Sequence, residues 1–158
     1  MKKMTLIALV VLQAAALAAC NINVNGGGKA VKATAASAEE RQQVDAQSQR
    51  ILAMLDSGRY GRTWDFAAPM LKNSGTREEF TNQLRLGRKL VKNWRTRAPV
   101  ETTFHDALSD GAPGRYAAVY NEVECGKARC AEEMVLQYVD GKWMLAGYHV
   151  RKSVRMSL

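Results

Sequence analysis

Residues 131–150 read Ala-Glu-Glu-Met-Val-Leu-Gln-Tyr-Val-Asp-Gly-Lys-Trp-Met-Leu-Ala-Gly-Tyr-His-Val, and Asp140-Gly141 separates two runs rich in β-branched, aromatic and large apolar residues. An Asp-Gly pair supplies the positive φ angles that a tight hairpin turn demands, so the stretch predicts two antiparallel strands, 131–139 and 142–150. Strict alternation along the second strand sets Trp143, Leu145 and Gly147 on one face and Met144, Ala146 and Tyr148 on the other. A glycine between such large neighbours implies either the close approach of a helix or a bend in the sheet.

Working back from the hairpin, residues 115–124 and 100–104 carry the same texture, with Asp110-Gly111-Ala112-Pro113-Gly114 as a loop between them. Upstream of Trp94 the period changes to that of a helix. Ser37 with Glu40 makes a capping box, and Val44, Ser48, Ile51, Leu52 and Leu55 recur at helical spacing, giving a helix over 38–55 stopped near Ser57-Gly58. Tyr60, Trp64, Ala67, Ala68 and Leu71 repeat the spacing in a shorter helix that Pro69 ends or bends. Thr76 and Glu79 form a second capping box, opening a helix with Phe80, Leu84 and Val91 on one face and Leu86 and Leu90 off it, ending near Lys92 or Asn93. Helices first and an antiparallel meander of about four strands afterwards is the order of an α+β fold, with N-terminal helices packed on one face of a curved sheet.

The start of the chain bears on location. Lys2 and Lys3 precede an apolar stretch, and Leu17-Ala18-Ala19-Cys20 fits the pattern at which a lipoprotein signal is cut before a diacylated cysteine. The expectation is a signal peptide over residues 1–19, lipid on Cys20, a flexible tether over 20–34 containing Gly26-Gly27-Gly28, and one domain over 35–158. Asn21 after the cysteine directs such a protein to the outer membrane, facing the periplasm, under the usual sorting rule. With 47% hydrophobic residues the domain can build an ordinary core unaided. The formal charge is +8, and removal of Lys2 and Lys3 takes two charges away to leave +6. An exported lipoprotein seldom meets nucleic acid, so the polyanions within its reach are anionic lipid, lipopolysaccharide and peptidoglycan, besides protein partners of the envelope.

Several positions fall in a familiar order: Asp56-x-Gly58-x-Tyr60 followed by Trp64, then Arg88 and Arg97, then Pro113-Gly114-x-Tyr116, and finally Asp140-Gly141-x-Trp143 with Ala146-Gly147-Tyr148. In these the chain resembles domain-of-unknown-function family 4019 from about Arg50 to Arg151, departing from its pattern at Phe80, where tryptophan is usual, and at Lys92, where glycine is. The resemblance implies a cone-shaped α+β fold of the cystatin-like or nuclear-transport-factor-2-like kind, and it implies no reaction.

Three groups of residues could carry chemistry. Cys125 and Cys130 sit at facing ends of two adjacent strands in an oxidising compartment, which favours a disulfide. Zinc would need two further ligands, and a redox site would need Cys-x-x-Cys in a βαβ setting. Arg85, Arg88, Lys89, Lys92, Arg95 and Arg97 form a run without an acidic residue. It is either a solvated face whose arginines pair with Glu122, Glu124, Glu132 or Glu133, or a surface for a polyanion. Since Arg88 and Arg97 match the family pattern, Arg85, Lys89, Lys92 and Arg95 are the candidates for polyanion binding. Finally, Asp65, Asp106, His105, His149, Tyr116, Tyr120 and Tyr148 could line a cone, where a carboxylate and a tyrosine would support acid–base catalysis. The expectation is a non-catalytic binding domain of the envelope without cofactor or metal. A small acid–base enzyme is the alternative, decided by where Asp65, His105 and Tyr148 lie.

Overall fold

A computed structural model describes residues 31–152 other than Leu90, Lys92 and Gly111. The stretch read as a signal peptide, Cys20 and Lys92 lie outside the described residues. The chain is α+β, with the helical segments α1 (Ala38–Asp56), α2 (Tyr60–Thr63), α3 (Pro69–Asn73) and α4 (Arg77–Arg88). They precede a four-stranded antiparallel sheet of β1 (Asn93–Ala107), β2 (Pro113–Cys125), β3 (Ala128–Val139) and β4 (Lys142–Lys152), paired in sequence order. Among the described residues no helix is long and apolar enough to cross a membrane.

Both capping boxes form. Ser37 Oγ accepts from the Glu40 amide at 3.1 Å while Glu40 accepts from the Ser37 amide at 2.8 Å, and Thr76 and Glu79 do the same for α4. One face of the helices and one face of the sheet close the main core, beside smaller clusters around Val123 and around Val135. Val44, Ile51, Leu52 and Leu55 of α1 and Phe80 and Leu84 of α4 pack on Phe104, Ala117, Val119, Met134, Leu136, Trp143 and Leu145. Asp140 (φ 47°) and Gly141 (φ 79°) make the turn between β3 and β4 as their sequence requires.

Four expectations need correction. The second helix is broken into α2, a 3₁₀ turn at Trp64–Phe66, and α3, with Pro69 opening α3 instead of ending a helix. Ala68, as the residue before proline, is pushed out of the helical region to an extended conformation (ψ 155°), and its amide donates to the Leu145 carbonyl at 2.7 Å on the free edge of β4. The third helix ends at Arg88, not near Lys92, because Val91 turns in to pack with Val123 and Cys130. The first strand starts at Asn93, seven residues before the predicted 100, and register shifts accommodate Pro99 on this edge strand. Finally, β4 does not alternate throughout. Val135 pairs with Gly147 and Leu136 with Leu145, so Ala146 is an extra residue. This bulge returns Tyr148 to the side of Trp143 and Leu145, facing the helices, and sends Gly147 to the opposite face beside Val135.

The last residues of the stretch read as tether touch the domain. The Thr34 amide donates to the Phe104 carbonyl at 2.7 Å on the outer edge of β1, and Arg115 binds Thr34 Oγ1 at 2.6 Å, the Ala35 carbonyl at 2.7 Å, Glu40 at 2.8 Å and Asp106 at 2.9 Å. Each edge of the sheet is thus bridged locally, β1 by Thr34 and β4 by Ala67 and Ala68.

Candidate functional site

Asp56 ends α1, Arg88 ends α4, Trp94 and Arg97 lie at the start of β1, and Asn121, Glu132 and Tyr148 come from β2, β3 and β4. Their side chains meet at one end of the helix–sheet interface. Glu132 is fully buried and Arg88 is 3% exposed. The Glu132 carboxylate receives the Tyr148 hydroxyl at 2.6 Å, Arg97 Nε at 2.5 Å and Nη2 at 3.1 Å, Asn121 Nδ2 at 3.2 Å and Arg88 Nη1 at 3.4 Å. Asp56 accepts from Arg97 at 2.8 and 2.9 Å and from Arg88. The Arg88 guanidinium stacks 3.5 Å from the Trp94 ring centroid and donates to the Tyr148 oxygen at 2.7 Å.

Two guanidinium groups face two carboxylates, so the cluster is neutral, with Arg88 and Glu132 compensated where water cannot reach and Asp56 at its solvent-facing edge. Burial works to raise the Asp56 carboxyl, but hydrogen bonds and charge from Arg97 and then Arg88 outweigh it and hold the group below the usual carboxylate range. The Tyr148 hydroxyl is pushed well above the usual phenol value, first by burial and then by the Glu132 charge, so it remains a donor. Burial alone would lower Arg97, yet hydrogen bonds to Asp56 and Glu132 raise it further. Five donors converge on the two oxygens of Glu132, which offer about four lone pairs. A carboxylate so occupied has no room to take a proton from a substrate. The arrangement locks α1, α4 and all four strands together.

The structure divides the basic run. Arg88 and Arg97 turn inward and pair with Glu132, one of the four carboxylates the sequence offers. Arg85, Lys89 and Arg95 are exposed, and none of them forms an ion pair among the described residues. Arg85 donates only to Asn82, at 2.8 Å. Cys125 and Cys130 are joined by a disulfide, with Cα atoms 5.8 Å apart.

The groups proposed to line a cone do not converge. Asp65 is exposed on the 3₁₀ turn. His105 is buried on β1, with Nδ1 3.2 Å from the Lys32 carbonyl and Nε2 3.0 Å from Thr103 Oγ1. It lies beside a cavity of about 10 Å³, near Tyr116 and Val135, which has room for one water. Tyr116 accepts from Gln137 at 3.2 Å, Tyr120 donates to Glu133 at 3.0 Å, Asp106 is held by Arg115, and His149 is exposed. Trp94, which the sequence marks only as a change of texture, proves to be the platform for Arg88. Nothing local identifies that role, because the two meet only once β1 lies beside α4.

The chain belongs to DUF4019, a family of proteins of unknown function, whose model matches residues 46–148. The match takes in every member of the buried cluster, from Asp56 to Tyr148. No curated protein and no solved structure matches the chain.

Proposed function

We propose that this member of the DUF4019 family is a non-catalytic, lipid-anchored domain of the bacterial envelope, of the cystatin-like or nuclear-transport-factor-2-like kind, that binds an anionic envelope component through its exposed basic residues. The observation that carries this reading is the division of the basic run. Arg88 and Arg97 are neutralised inside, whereas Arg85, Lys89 and Arg95 stand exposed with no carboxylate partner among the described residues. The interior supports binding over catalysis. The space between helices and sheet is filled by Phe104, Leu136, Trp143 and Leu145, and the close carboxylate–tyrosine pair there, Glu132 and Tyr148, is saturated with donors. The anchor is Cys20, in a signal that places the domain at the outer membrane facing the periplasm.

Screened electrostatics would supply most of the affinity, at about 1 kcal/mol for each cation near an anionic surface. The protein with Cys20→Ser should leave the membrane fraction and associate with anionic vesicles, lipopolysaccharide or peptidoglycan in a salt-sensitive way. Arg85→Glu with Lys89→Glu should weaken that association at least tenfold without a change in thermal stability. Retention of the Cys20→Ser protein on membranes after a high-salt wash would refute the anchor. Absence of salt-sensitive association with all three surfaces would refute the polyanion reading.

A further inference from the structure

We infer that the groove between α1 and the β3–β4 hairpin is a binding site for a small acidic sugar, a ring of pyranose size with hydroxyl groups and one carboxylate. The groove is open to solvent and offers about 630 Å³, within the usual range of small-molecule sites, and lies on different residues from those of the polyanion reading. Gln43, Gln47 and Arg50 follow one another at i, i+4 and i+7 along α1, forming a polar strip that lines the groove while Val44, Ile51 and Leu55 face the core.

The charges choose the ligand. The Arg50 guanidinium lies 4.8 Å from the Phe66 ring centroid and forms no ion pair among the described residues. Stacking on one face leaves its N–H edge for a carboxylate in the paired geometry that guanidinium favours. Lys142, on the opposite wall, is exposed and likewise has no ion pair among the described residues. Asp65 also lines the groove with no ion pair among the described residues, so a dianion or a chain of phosphates would meet repulsion there, whereas hydroxyl groups would find an acceptor. The Gln47 amide adds a donor and an acceptor that no described residue engages. Phe66, Trp143 and Met144 supply the apolar wall against which the C–H face of a sugar ring packs. Trp143 is 4% exposed and its ring is held in the core, so it offers the groove a fixed wall and not a mobile side chain.

The test uses the full chain in a mild non-ionic detergent, titrated with glucuronate, glucose and propionate by calorimetry and tryptophan fluorescence. Glucuronate should bind at least tenfold more tightly than either of the others. Arg50→Gln should weaken it by about tenfold or more, as expected for loss of a charge-assisted pair. Lys142→Gln, on the exposed hairpin, should weaken it in the same direction, and circular dichroism should show both variants folded. The Arg85→Glu, Lys89→Glu variant should bind glucuronate like the parent, which separates this site from the basic surface. Equal affinity for glucose would overturn the anionic assignment, and equal affinity for propionate would overturn the sugar assignment. No binding of glucuronate at tens of millimolar, or unchanged binding in both single variants, would overturn the site.

Discussion

Arg88 is tied to Asp56, Glu132, Tyr148 and the Trp94 ring, and removing it strands Glu132 in the core with part of its compensation gone. Breaking a buried pair from one side costs about 3–5 kcal/mol, so Arg88→Met should lower the urea midpoint of unfolding by that equivalent. Combining it with Glu132→Leu should recover part of the loss, because the second change removes the excess negative charge and leaves Arg97 paired with Asp56. A double variant no more stable than Arg88→Met would show that the cluster is more than a set of paired charges. The residue Tyr148 illustrates why such pairs escape local reading. Its neighbours in sequence are Gly147 and His149, and its partners come from α4 and β3.

At the level of elements, the bulge at Ala146 decides which face of β4 carries Tyr148. Deleting Ala146 would remove the extra residue and leave Trp143, Leu145 and Tyr148 on one face by plain alternation. The deletion should therefore cost well under the about 2–5 kcal/mol that accompanies the loss of one large core side chain, whereas Leu145→Ala should cost that amount. Thermal unfolding followed by near-ultraviolet circular dichroism would register the change. The β2–β3 hairpin is a milder case. Its disulfide closes a loop between Cys125 and Cys130, and Cys125→Ser with Cys130→Ser should cost about 2 kcal/mol by the loop-entropy estimate. Alkylation without reductant should label neither cysteine of the parent protein.

For the whole molecule, folding joins carboxylates to arginines at two ends of the sheet, Asp56 with Arg97 and Arg88, and Glu40 with Arg115. Asp56 is held below its usual range in the fold by Arg97 and Arg88 against the opposing effect of burial, and Glu40 by its hydrogen bond to Arg115. A depressed carboxyl stabilises the fold above its unfolded value and loses that contribution as pH falls through its folded value. Stability should therefore be level near neutrality and fall as pH drops below about 4. Asp56→Asn should be less stable at pH 7 and show a shallower acid decline, measured by urea unfolding across pH. A decline of unchanged steepness would place the acid sensitivity elsewhere.

What is local was legible in the chain. The helix starts at Ser37 and Thr76, the turn at Asp140-Gly141 and the order of helices before strands follow from side chains a few positions apart, whose effects do not depend on the rest of the fold. The α+β class followed from those signals, and the family from the resemblance carried by positions between Asp56 and Tyr148. The start of β1 at Asn93 was hidden, since residues 93–99 are charged and contain a proline, and only pairing with β2 makes them a strand. The cluster was half visible, with Arg88 and Arg97 marked by the family pattern and Glu132 one candidate among four. Its assembly required the register of β3 against β4 and the bulge at Ala146, which are set by the fit of α1 and α4 on the sheet. The groove between α1 and the last hairpin likewise exists only in the folded chain, because Arg50 and Lys142 lie 92 positions apart and only packing sets them across one space. Sequence fixes what neighbouring residues prefer, and tertiary packing fixes which distant charges meet and which are left facing solvent.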